Sequence, residues 1–280
     1  MSDAPANSLH AAPSVQSPSV PERTVYLSAL TVFAVAAGAT VYLTHSMSGG
    51  MLMPGNWTMG MMWMIMPGQT WLDAALSFVG MWLAMMIAMM LPSSLPMLLL
   101  YRRAAAFRRE TRVGWRTFVL GAGYFFVWVQ FGVLSYLIGE AVAHAAMASV
   151  AVCRVVPLAA SAALVLAGIF QVSPWKSACL RHCRDPLSVV AHHLHGGWRG
   201  ALSLGIHHGA LCAACCWALM LIQLVLGVMN LAVMVTVGVV IALEKLVSRG
   251  DLVARITGVA SILGGITLAA SSIMGWHLRI

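Results

Sequence analysis

Long apolar runs separated by short polar stretches dominate the chain. They cover residues 24–44, 71–100, 117–138, 150–171, 201–226, 227–243 and 252–274. A helix rises 1.5 Å per residue, so about 20 apolar residues cross a ~30 Å hydrocarbon core. The pattern predicts an all-α fold, a polytopic transmembrane helix bundle of about seven spans. Residues 1–22 are rich in Ala, Ser and Pro with no apolar period, which predicts a disordered cytoplasmic tail ahead of a helical membrane domain over 23–280. Residues 45–70 carry five Gly and two Pro, a density that opposes a spanning helix and predicts an outer loop. Pro92 and Pro96 predict a kink or an end in the second span. A short outer link is expected over 140–149, and the longest inner loop over 173–200.

Composition sharpens this picture. Of 280 residues, 60% are apolar and 9% charged, whereas soluble domains carry ~25% charged residues. The net charge is +8. The links after the second, fourth and sixth runs hold six, four and three Lys or Arg, and those after the first and fifth hold none. That bias places the N-terminus on the cytoplasmic side of a multi-pass protein. Six cysteines without a secreted-type framework argue against a disulfide scaffold. The basic balance belongs to membrane loops; no nucleic-acid module, phosphate-binding Gly loop or nucleophile elbow is present. Asp73, Glu140, Glu244 and Asp251 sit near span ends and read as boundary charges.

The candidate chemistry is sulfur. Residues 205–220 read GIHHGALCAACCWALM. On a helix, His208, Cys212 and Cys216 recur every fourth residue, Met220 follows one turn later, and Cys215 borders the same face. Polar ligands at bilayer depth are costly and mark function. Counted from Ala201, Cys212 lies about 17 Å along its helix. Counted from Ala74, Met85 and Met86 fall at the same depth, and Met89 and Met90 match His207 and His208. Were the two spans neighbours, thioethers would face thiols. Such ligands together select Cu(I), or another soft transition metal, over harder ions. The plain alternative is apolar packing in a Met-rich bundle.

Fourteen of the 20 methionines lie between Met47 and Met97. In the outer loop, Met59, Met61 and Met62 suit capture of Cu(I) where thiols would oxidise; the alternative is an interfacial loop anchored by Trp57, Trp63 and Trp71. Cys179 and Cys183 share a face if residues 175–184 are helical, beside His182, His192, His193 and His195. That suits a metal exit or sensing site, or else a basic segment lying on anionic lipid.

Three phrases, MWLAMMIAMMLPSSLPM, SPWKSACLRHCRDP and GIHHGALCAACCWALM, follow in this order. Their residues and spacing resemble a bacterial family described as predicted metal-binding integral membrane proteins, over about residues 75–245. The matching positions are Met85, Met89, Met90 and Pro92; Lys176, Cys179, Cys183, Arg184 and Pro186; and Cys212, Cys215, Cys216, Trp217 and Met220. Ala214 stands where the pattern has Gly. The resemblance implies metal binding in a bacterial inner membrane. Together these readings lead to the expectation of a non-enzymatic protein that handles or transports Cu(I). Its partners would be the lipid bilayer, the ion, and a metallochaperone or metalloenzyme. The alternatives are a membrane thiol–disulfide oxidoreductase using Cys212 and Cys215, and an accessory or assembly subunit of a metalloenzyme complex.

Overall fold

A computed structural model describes residues 22–46, 49–55, 57–185 and 196–277. Residues 1–21 of the expected tail over 1–22, and His192, His193, His195 and Pro186, lie outside the described residues, while Glu22 begins the first helix. Among the described residues the chain forms eight α-helices and one small hairpin. They are α1 (Glu22–Ser46), α2 (Trp71–Phe107), α3 (Val113–Ala148), α4 (Val150–Val172), α5 (Pro174–Cys183), α6 (Gly197–Leu226), α7 (Leu231–Leu246) and α8 (Gly250–His277). Six are long and apolar enough to cross a membrane: all except α5 and α7. The expected sixth span corresponds to α7, which has 16 residues and so reaches only about 24 Å.

Two helices run further than the apolar pattern foretells. Helix α2 extends for 37 residues straight through Pro92 and Pro96. The hydroxyls of Ser93 and Ser94 donate to the carbonyls of Met90 and Leu91 at 3.0 and 3.1 Å, so polar groups around the proline-interrupted ladder find partners within the same helix. Its start is fixed by a reciprocal cap. Thr70 Oγ1 accepts from the Asp73 amide at 3.2 Å, and Asp73 Oδ2 accepts from the Thr70 amide at 2.9 Å. Helix α3 absorbs the expected outer link, because GEAVAHAAMA is rich in the best helix former and contains no proline. Only Ser149 separates α3 from α4.

The Met-rich segment is folded. Strands β1 (Gly50–Met53) and β2 (Trp57–Gly60) pair antiparallel, Met51 opposite Met59 and Met53 opposite Trp57. Gly55, at φ +105°, makes the turn. A 3₁₀ turn, Met61–Trp63, leads toward α2. The Trp63 ring lies where a side chain on Gly139 of α3 would sit, and its centroid is 5.1 Å from that of Phe78. The bundle thus has a hairpin end and, opposite, an α5 end.

Helix α6 is the centre. It packs on α3, α4, α5 and α7. Its closest approach is to α3, where a Cβ on Gly205 would collide with the Leu120 carbonyl. Backbones meet directly there, which sets the faces of α6 firmly.

Candidate metal centre

The stripe foreseen on α6 is real and faces the interior. His208, Cys212, Cys216 and Met220 are all buried, and the row continues one turn later into buried Gln223. Cys215, beside the row, is buried too.

The thiols are connected. The side chain of Cys216 neighbours those of Cys212 and Cys215, and the side chain of Cys215 neighbours that of Cys183 of α5. Cys183 Sγ also donates to the Leu211 carbonyl at 3.4 Å. Four sulfurs therefore run from α6 to α5. Lys245 Nζ of α7 donates to Cys212 Sγ at 2.8 Å, and Tyr124 Oη of α3 lies 3.0 Å from the same sulfur. An ammonium at this distance offsets the charge of a thiolate, the form in which cysteine binds a metal.

A fully buried lysine holds the frame. Lys176 Nζ donates to the Cys215 carbonyl at 2.9 Å and to Glu244 Oε2 at 2.6 Å. Gln171 Nε2 of α4 donates to Glu244 Oε1 at 2.7 Å. Lys176 and Glu244 are 0% and 1% exposed, so each ion needs these bonds to survive burial. Glu244 is thus no solvated boundary charge. Glu140, half-buried near the hairpin end, accepts from Trp71 Nε1 at 2.8 Å in an exposed hydrogen bond. Asp73, the capping residue of α2, does stand at an exposed boundary.

His208 is 7% exposed, stacks on Tyr124 with centroids 5.5 Å apart, and its Nδ1 has no hydrogen-bond partner. A buried ring nitrogen without a partner suits a ligand role. Cys179 is half-buried on the α5 face that packs on the core.

The thioethers lie elsewhere along the row. Met85, Met86, Met89 and Met90 of α2 are buried. Met85 Sδ accepts from Gln223 Nε2 at 2.9 Å, and Met89 lies against Gly238 of α7. Gln223 is 11 residues beyond Cys212, about 16 Å along the axis. The expected level pairing of Met85 with Cys212 is therefore corrected: Met85 meets the side chain of Gln223. Both helices overrun a bilayer's thickness, so counting from their apolar ends gives no common zero.

In the Met-rich segment the expected trio is split. Met59 is buried under the hairpin beside Cys153, Met62 is buried in the main core, and Met61 is exposed.

Among the described residues, no three His, Cys, Asp or Glu side chains are disposed to enclose an ion. The available donors are thiols in a line, thioethers and one imidazole, while Glu244 is committed to Lys176 and Gln171. Soft donors without a free carboxylate suit a soft monovalent ion held by few ligands. Lys176 belonged to the resemblance; Lys245, Tyr124, Gln171 and Gln223 were not foreseen as site residues. A glutamine inside each of two apolar runs, and Glu244–Lys245 ending a third, were the available signals.

The sequence model of the PpoB2 family, described as a copper chaperone, matches residues 79–268. No curated protein and no solved structure matches the chain.

Proposed function

Because the chain belongs to the PpoB2 copper-chaperone family, we propose that it carries Cu(I) through a bacterial inner membrane along the α6 row. The single observation behind this reading is the continuity of buried soft donors: Met85 at Gln223, then Met220, Cys216, Cys212 and His208, with a branch through Cys215 to Cys183. Met86, Met89 and Met90 line the thioether side, and Cys179 stands beside Cys183. Sites of two or three soft ligands hold the ion weakly enough to exchange, which passage requires. Each cysteine that takes the ion releases its thiol proton to water as the Cu–S bond forms, and Lys245 stabilises the thiolate of Cys212 between proton loss and copper binding. The six long apolar helices support the membrane setting, and the Arg-rich link between α2 and α3 supports a cytoplasmic N-terminus. The α5 end then faces the cytoplasm and a metallochaperone or metalloenzyme partner.

The test is copper per mole of anaerobically purified protein, compared with the Cys212→Ser/Cys215→Ser/Cys216→Ser variant. Most bound copper is expected to disappear. Equal copper in both would remove α6 from the pathway.

One observation favours a second reading, thiol–disulfide exchange: the side-chain contact between Cys215 and Cys183 joins two helices. This is a different pair from the expected Cys212 and Cys215. Thiol trapping after addition of a quinone distinguishes the readings; a metal-independent loss of two free thiols supports exchange.

A further inference from the structure

The hairpin has two unlike faces. Residues opposite one another on an antiparallel pair share a face, so Met51, Met53, Trp57 and Met59 lie on one side. Leu52 and Thr58 lie on the other, and Leu52 is 72% exposed. If burial of apolar area alone had selected this segment, leucine would serve the inner face as well as methionine. Instead the leucine points outward and the inner face holds thioethers and an indole.

Beneath that face is a thiol outside the α6 row. Cys153, in the first turn of α4, is buried with Met53 and Met59 in one packed cluster walled by Ala143 and Ala146 of α3. The hairpin is held over this cysteine in particular. Trp57 Nε1 donates to the Cys153 carbonyl at 3.0 Å. A Cβ on Gly55 would stand 3.2 Å from the same carbonyl, so the turn rests against it. Cys153 Sγ donates to the Ala146 carbonyl at 2.8 Å, which leaves its lone pairs for an acceptor role. Met51 is 48% exposed and stands at the rim.

We propose that Met53, Met59 and Cys153 form a second binding site for Cu(I), separate from the α6 row, with Met51 as the ligand that first meets the ion. The proposal rests on the copper reading above for the identity of the ion. One thiolate and two thioethers make a soft, three-ligand set that rejects hard divalent ions. When Cu(I) binds, the Cys153 S–H bond breaks, its proton goes to water, and a Cu–S bond forms without change of oxidation state. The Ala146 carbonyl loses its donor in that step, and the proximity of Met51 to solvent gives the proton and the ion a shared path.

The experiment uses the full chain in detergent, anaerobically, titrated with Cu(I) against a Cu(I)-specific chelator. Met53→Leu/Met59→Leu keeps apolar volume and removes both buried thioethers. It is measured in the natural background and in the Cys212→Ser/Cys215→Ser/Cys216→Ser background, with helix content and elution volume as checks on folding. The expected result is a loss of about one copper per chain in each background. Cys153→Ala should reproduce that loss. Unchanged stoichiometry in both backgrounds, from folded protein, would overturn the hairpin site. Because the loss is read in both backgrounds, failure of the α6 row, seen as full copper in the triple variant, is distinguishable from failure here.

Discussion

The two halves of the α6 row solve different electrostatic problems with the same element. At the Met220–Gln223 half the donors are neutral thioethers. They need no counter-charge, and one amide, Gln223, is the polar contact made to Met85. At the Cys212–Cys216 half the donors would become anions on taking up the proposed metal, and a buried lysine, a half-buried lysine, a glutamate, a tyrosine and a glutamine are gathered around them. Sulfur alone does not define the site; the charge state of the sulfur dictates how much polar structure must be buried with it.

The comparison is broken most severely at Lys176. Lys176→Met leaves Glu244 buried without its cation and is expected to destabilise the protein by about 3–5 kcal/mol, measured as a lowered thermal midpoint in detergent. Lys176→Met/Glu244→Leu should recover most of that loss. If the single variant is as stable as the natural protein, the ion pair is not structural. Next comes Lys245→Met, which removes the charge beside Cys212 while leaving a similar apolar stem. Cu(I) affinity at the thiol half should fall on the order of tenfold to a hundredfold, with helix content unchanged, in an anaerobic competition titration. An unaltered affinity would mean that the thiols need no counter-charge. The smallest effect is expected at Gln223→Leu. Stability should change by less than about 1 kcal/mol, and copper at the thiol half should not change. A loss there as large as that of Lys245→Met would erase the distinction between the halves.

The sequence foretold the helical class, the buried stripe of α6 and the helical pairing of Cys179 with Cys183, because each depends on spacing within one helix. It did not foretell what depends on the placement of one helix against another. Met85 met Gln223 rather than Cys212, because depth counted from an apolar boundary ignores how far each helix protrudes. Glu244 looked like a boundary charge because its partner, Lys176, lies 68 residues earlier on a separate short helix. Residues 140–149 looked like a link because their charged and small residues lower hydropathy without lowering helix propensity, and all but Ser149 are helical.

Lys176 and Glu244 together rivet four helices at a single point, since their bonds reach α4, α5, α6 and α7. A slide of α6 past α7 by even one residue, about 1.5 Å, would tear those bonds apart in a buried place with no water to replace them. Rocking of whole helices is therefore a poor engine for this molecule. On the proposed reading, an ion crossing it would be handed from one sulfur to the next by rotamer changes, inside walls that stay where they are.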